Sequence, residues 1–238
     1  MARLSIDIDK IAVLRKLGNG KTPDPFHTAA IAEITGVDGI TVRLKETNSA
    51  ITNRDLHLLK NTVHTSLNIE MPCNDAMLET ALKISPDMIT FVAVDDQGDS
   101  SDNTVDLNIE YDKIAEAIPR LQMQDILISL HIEPEVEMVK AAAKLKADYI
   151  QLSTYSYANN TSAAEQSTEL EKISSMVSLA SKLLLGINCA RGIDYRNVKP
   201  LTGISSIEEL SVGQAVIGQA LYVGLEQAIR EMLLIVQD

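Results

Sequence analysis

The chain is short of what several function classes require. Its 238 residues include no Trp and only two Phe. Aromatics nowhere interleave with a basic block, so a nucleic-acid groove is not expected. Positive charge is also in deficit: 33 acids against 21 bases leave a formal net charge of −12, which fits a solvated exterior. The two cysteines, Cys73 and Cys189, lie far apart with no metal-type spacing, as suits a reducing compartment. No apolar run approaches the ~18 residues of a membrane-spanning helix. The opening MARLSIDIDKIAVLRK places charges where a signal peptide needs an apolar stretch. These absences predict a cytoplasmic protein with neither a nucleic-acid nor a membrane partner.

What is present is an alternation. Short apolar runs at Leu4–Asp9, Gly39–Leu44, Leu67–Met71, Met88–Val92, Ile126–Ile132, Tyr149–Ser153, Leu184–Asn188 and Glu208–Gly213 read as strands. Helical periods fall between them at Pro25–Thr35, Asn53–Val63, Asn74–Ile84, Asn108–Arg120, Pro134–Leu145, Ser162–Lys182 and Asp194–Leu201, and a long helix, Ala215–Val236, closes the chain. Pro25 sits at a first turn, and Asn53 and Asn74 read as caps. Eight strands alternating with eight helices predict an α/β fold, a parallel eight-stranded (β/α)8 TIM barrel, as one domain over residues 1–238. The polar stretch Asp95–Thr104 follows strand four, where such a barrel carries a functional loop.

The segment DGITVRLKE, Asp38 to Glu46, raises the question of function. Strand alternation points Thr41, Arg43 and Lys45 the same way, and a cation at the end of a covered strand needs an anion from the protein or a ligand. Other strands end alike. Strand one offers Ser5, Asp7 and Asp9 followed by Lys10; strand three Asn68 and Glu70; strand five Ser129 and His131; strand six Gln151 and Ser153. Strand seven runs into Arg191-Gly192 and strand eight into Gly213-Gln214. In a barrel these ends form one rim, where active sites lie, and the loops after strands seven and eight are the usual phosphate site. Glu70 reads either as half of an ion pair with Arg43 or Lys45 or as a general base. His131 reads equally as a satisfied interior histidine or a catalyst. His27, His57 and His64 are expected on helices as surface or packing residues. Asp7, Asp9 and Glu70 resemble a cation set, but the neighbouring cations oppose a metal, and none is expected. Cys189 reads as a packed hydrophobe rather than a nucleophile.

At these residues the chain resembles the pyridoxine 5′-phosphate synthase family of vitamin B6 biosynthesis. The likeness runs through IDIDKIAVLR, PDPFHTAAIAEITGVDGITVRLKE, ITNRDLHLLK, NIEMPCNDAML, INCARGIDYRNVKPL and LSVGQAVIGQAL. It implies a barrel that condenses 1-deoxyxylulose 5-phosphate with 3-amino-2-oxopropyl phosphate, needs no metal or cofactor, and assembles as a homo-octamer. It also implies a catalytic set of a histidine ending strand two, a glutamate ending strand three and a histidine after strand seven. Here those positions hold Arg43, Glu70 and Arg191, so only the glutamate is kept. The family's Asn-Ile-Asp-His on strand one is Asp7-Ile8-Asp9-Lys10. Its arginine in the first loop is Gly18, the one after strand two is Lys45, and a histidine further on is Ala50. Its glutamate on strand six is Gln151, and its Gly-His after strand eight is Gly213-Gln214. Arginine stays protonated and cannot replace histidine as a base.

The expectation is therefore a divergent family member that binds a phosphorylated or otherwise anionic small molecule at the rim. If it is an enzyme, Glu70 would be the base, Arg43 and Arg191 would stabilise negative charge, and Lys10 would be a proton donor or imine-forming amine. Asp7, Asp9, Lys45, Gln151, Gly192, Gly213 and Gln214 would bind the ligand. The alternatives are the family's own condensation and a non-catalytic sensor or partner subunit.

Overall fold

The computed structural model describes residues 1–47, 49–94 and 103–237. Eight strands close into an all-parallel barrel in chain order, with β8 (Glu209–Val212) returning to pair with β1 (Arg3–Asp7). Between them lie β2 (Gly39–Arg43), β3 (Ser66–Met71), β4 (Met88–Phe91), β5 (Leu127–Ile132), β6 (Tyr149–Ser153) and β7 (Gly186–Ala190). The predicted (β/α)8 barrel is what the chain forms. Residues 95–102 of the expected loop after strand four lie outside the described residues.

Alternation divides each strand between two environments. One parity, including Ile6, Val42, Ile69, Phe91, Leu130, Leu152, Cys189 and Leu210, is essentially fully buried against the surrounding helices. That layer is the hydrophobic core. The other parity faces inward and is polar on all eight strands: Ser5, Thr41, Asn68, Thr90, Ser129, Gln151, Asn188 and Glu209 are all buried. Some of these satisfy one another, as in Ser5 Oγ to Thr41 Oγ1 at 3.0 Å and Thr90 Oγ1 donating to Asn68 Oδ1 at 2.9 Å. The polar face read at the strand ends thus extends through the whole interior, and β4 contributes to it as well.

The elements follow expectation with departures at both strands and helices, among them α9 (Val198–Thr202), which starts at Val198 rather than Asp194. Strand one ends at Asp7, and Asp9 opens an unpredicted helix, α1 (Asp9–Leu17). The Asp7 carboxylate accepts the Asp9 backbone N–H at 2.9 Å and stops the strand. Strand seven starts at Gly186 because Leu184 turns with φ 62°. A short helix, α7 (Tyr155–Asn159), precedes α8 (Ala163–Lys182). The closing helix is two, α10 (Gln214–Val223) and α11 (Leu225–Gln237), broken where Gly224 takes φ 84°. The cap of α3 (Asn53–Thr62) is Thr52, in a reciprocal box with Asp55, rather than Asn53; Asn74 caps α4 (Asp75–Ile84) as read. The remaining helices are α2 (Pro25–Thr35), α5 (Tyr111–Gln122) and α6 (Val136–Lys144). His27, His57 and His64 are exposed, though His64 lies past the end of α3. Among the described residues no helix is long and apolar enough to cross a membrane.

At the amino-terminal mouth, burial pushes the Glu209 carboxyl up to about 7, against the opposing pull of Arg3. A carboxyl raised in the folded state binds protons more tightly there than in the unfolded chain. Its contribution is therefore full below the unfolded value of 4.5 and is lost as pH rises towards about 7. The loss is on the order of 3 kcal/mol. Urea unfolding between pH 4.5 and 7.5 should show this decline in the wild type and a flatter profile in Glu209→Gln.

Candidate functional site

The carboxyl ends of the strands surround a cavity of about 500 Å³. Nine of the predicted residues line it: Asp7, Asp9, Lys10, Arg43, Lys45, Arg191, Gly192, Gly213 and Gln214. Two do not. Gln151 is 1% exposed within the barrel, and its backbone oxygen lies 3.1 Å from His131 Nδ1. Glu70 is fully buried beneath the arginines.

The Glu70 carboxylate is the centre of the rim. Its Oε2 accepts from Arg43 Nε at 3.0 Å, Arg43 Nη2 at 2.9 Å and Arg191 Nη2 at 2.8 Å, and its Oε1 accepts from Arg191 Nη1 at 3.1 Å. β2 and β3 are in register with Arg43 beside Glu70, so the first pair follows from strand pairing alone. Arg191 crosses the barrel from just beyond β7. Burial alone would raise the Glu70 carboxyl, but the Arg191 and Arg43 guanidiniums outweigh it and hold the carboxyl far below the usual range. Burial also opposes the charge on Arg43, and Glu70, Asp7 and Asp9 overcome it. Arg43 is fixed a second way, because its backbone N–H donates to Asp9 Oδ1 at 2.6 Å.

Arg191 and Gly192 both adopt left-handed backbone, at φ 88° and 71°. Such a turn is costly for arginine, and its neighbours hold it. Thr154 Oγ1 donates to the Ala190 and Arg191 carbonyls, and Asn197 Nδ2 donates to the Gly192 carbonyl at 2.9 Å. A Cβ on Gly192 would stand 2.5 Å from Ala158 Cβ on α7. One on Gly213 would stand 3.0 Å from Asp7 Cβ, so glycine there lets the start of α10 lie against the end of β1. Opposite, Arg15 on α1 pairs with Asp55 at 2.6 Å and donates to the Ala50 carbonyl at 3.0 Å. This ties the segment after β2 over the cavity.

Sequence reasoning missed Tyr155, Asn159 and Ile193, which line the cavity along with Ser211, a polar residue read at the end of strand eight. Ser211 was legible from strand-eight alternation; Tyr155 and Asn159 depend on α7, which is too short to show a helical period. The buried Cys189 thiol, raised to about 12 by burial, is protonated and packed. Among the described residues no group of three or more His, Cys, Asp or Glu side chains is arranged for a metal ion.

Fold and rim together define a (β/α)8 barrel with a charged cavity at the carboxyl ends of its strands. Solved structures at low identity agree on the fold. Phosphoribosylanthranilate isomerase from Thermotoga maritima superposes with a TM-score of 0.62 at 9% identity, covering 100% of this chain and 99% of that one. A 4-hydroxy-2-oxoglutarate/2-dehydro-3-deoxyphosphogluconate aldolase gives 0.63 at 11% identity, covering 98% and 93%. The chain belongs to the family described as pyridoxal phosphate biosynthesis protein PdxJ, which matches residues 4–238. It is similar to proteins named pyridoxine 5′-phosphate synthase in Geobacter sulfurreducens, at 41% identity over 98% of both chains, and in Syntrophobacter fumaroxidans, at 38% over 99% of both.

Proposed function

We propose that this rim binds a phosphorylated or otherwise anionic small molecule and does not carry out the condensation for which its relatives are named. The observation that carries this is the closure of Arg43 and Arg191 on Glu70. The family resemblance implies histidine, glutamate, histidine at these three positions. Here the glutamate is ionised and fully engaged, and neither arginine can accept a proton near neutrality. Glu70 therefore serves better as the counter-ion that orders two guanidiniums than as the base. Lys10, Arg43, Lys45 and Arg191 line the cavity with Gly213 and the first turn of α10, an arrangement suited to an anion. Lys10 lines the same cavity, which suits it to imine formation with a carbonyl ligand. Borohydride trapping with such a ligand should label it.

Two measurements test the proposal. Calorimetric titration with inorganic sulfate should give saturable binding that weakens at least tenfold in Arg191→Met. Incubation with 1-deoxyxylulose 5-phosphate and 3-amino-2-oxopropyl phosphate should yield no pyridoxine 5′-phosphate; steady formation would establish the second reading, the family's own reaction. About 40% identity along the whole length favours that second reading. A sensor or partner subunit is the third, favoured by the self-paired Arg–Glu–Arg group and opposed by the open cavity.

We further propose that the protein acts in the cytoplasm and forms homo-oligomers, an octamer by resemblance to the family. Leu221, Tyr222 and Leu234 on α10 and α11 and Ile34 on α2 are 68–86% exposed on helices that contact one another, an apolar face suited to a second copy. Light scattering should give a mass several times 26.0 kDa, falling in Leu221→Glu/Tyr222→Glu.

A further inference from the structure

We propose that Asp9, acting with Asp7, is the proton-exchanging residue of this rim, while Glu70 only positions the arginines. This rests on the anionic-ligand reading and adds to it the group that gives or takes a proton once the ligand is bound.

The two carboxylates occupy the place that Glu70 does not. Asp7 ends β1 and Asp9 opens α1, and both are partly accessible on the cavity wall, whereas Glu70 is sealed below it. They are chained through the backbone: Asp7 Oδ1 takes the Asp9 N–H at 2.9 Å, and Asp9 Oδ1 takes the Arg43 N–H at 2.6 Å. One oxygen of each is thus fixed, which sets the orientation of both carboxyls towards the wall.

Burial favours a held proton on this pair, and the neighbouring carboxylates add to it against the pull of the arginines. Arg43 from β2, Glu70 from β3 and Arg191 from beyond β7 act on the pair, and Lys10, Lys45, Tyr155 and Asp194 line the same cavity; α10 brings Gln214 and Ala215, neither of them charged. Arg43 and Arg191 are already matched against Glu70, so their pull on the aspartates is partly cancelled. For Asp9, burial and then the Asp7 charge outweigh Arg43 and raise the carboxyl well above the usual range. For Asp7, burial and then Glu70 raise it less. Two neighbouring carboxyls of this kind release their protons in two separated steps. The neutral Asp9 carboxyl can pass its proton to an oxyanion on the ligand and become a carboxylate, and the reverse transfer restores it.

Arg191 is 8% exposed and lines the cavity, and its own Nε is buried with no hydrogen-bond partner among the described residues, a costly omission for a buried donor.

Sulfate is the probe, because it does not itself titrate near neutral pH. An anion seated beside Asp9 favours the protonated carboxyl, so sulfate binding should take up a measurable fraction of a proton. Calorimetry in buffers of differing ionisation enthalpy reads this uptake. Sulfate affinity should also rise severalfold as pH falls through the Asp9 range. Asp9→Asn keeps an oxygen for the Arg43 N–H and should bind sulfate with neither uptake nor pH dependence. Sulfate binding by the wild type without proton uptake overturns the assignment of Asp9 and leaves the ligand reading intact. If sulfate does not bind, the ligand reading fails, and carbon-13 NMR of aspartate carboxyls in the unliganded protein decides the rest. A carboxyl titrating well above the ordinary range and absent from Asp9→Asn sustains the assignment; its absence from the wild type overturns it.

Discussion

Replacing Glu70 by Gln should lower stability by about 3–5 kcal/mol, because it removes one partner of a buried ion group and leaves two guanidiniums facing each other. For a chain of this length that corresponds to a drop in Tm on the order of 10 °C, measurable by calorimetry. Gln has the shape of Glu, so the loss would report charge rather than packing. The pH dependence has a definite sign. The Glu70 carboxyl is depressed in the folded protein, so its contribution is present above the unfolded carboxylate range and lost as pH falls into acid. The deficit of Glu70→Gln should therefore be full at neutral pH and shrink on acidification. Sulfate should restore part of it, since an external anion can take the place of the missing one. A neutral-pH loss under 1 kcal/mol would mean that Glu70 does not hold the arginines.

The second large effect is expected at Gly192→Ala. The new methyl would meet Ala158 Cβ at 2.5 Å and would sit on a backbone with φ 71°. Left-handed backbone costs an L-residue about 1–2 kcal/mol, and overpacking adds about 1–3 kcal/mol. The predicted loss is thus roughly 2–5 kcal/mol by urea unfolding. Relief comes most easily if α7 moves away, which would carry Tyr155 and Asn159 off the cavity. Sulfate affinity should fall together with stability. Alanine at Gly18, where an added Cβ meets only backbone oxygens at 3.7 and 3.8 Å and φ is −80°, is the control and should be nearly neutral or slightly stabilising.

Much of this is legible in the sequence. Eight apolar runs alternating with helical periods imply a closed parallel barrel, and strand alternation alone selects Asp7, Arg43 and Glu70 as inward residues. The cluster at Glu70 was half legible. Arg43 lies beside it by register, but Arg191 reaches it through a left-handed turn that no periodicity announces. SIDID alternates cleanly and so places Asp9 on a strand; Asp7 ends that alternation by accepting the Asp9 N–H, an event of side-chain chemistry rather than pattern. Gln151 has the right parity to face inward but lies below the rim, and alternation gives parity without depth. The split of the final helix at Gly224 was hidden because apolar residues continue on both sides of it.

The two parities of each strand also separate what may change from what must not. Aliphatic residues outside the barrel grip the helices, while the inner set packs within the barrel and around the cavity. A lineage can exchange histidine for arginine at positions 43 and 191 and leave every helix contact of Val42, Cys189 and their neighbours in place. Such a barrel can lose one chemistry and acquire another without passing through an unfolded intermediate form, because the residues under selection for reaction and those under selection for folding occupy opposite faces of the same strands.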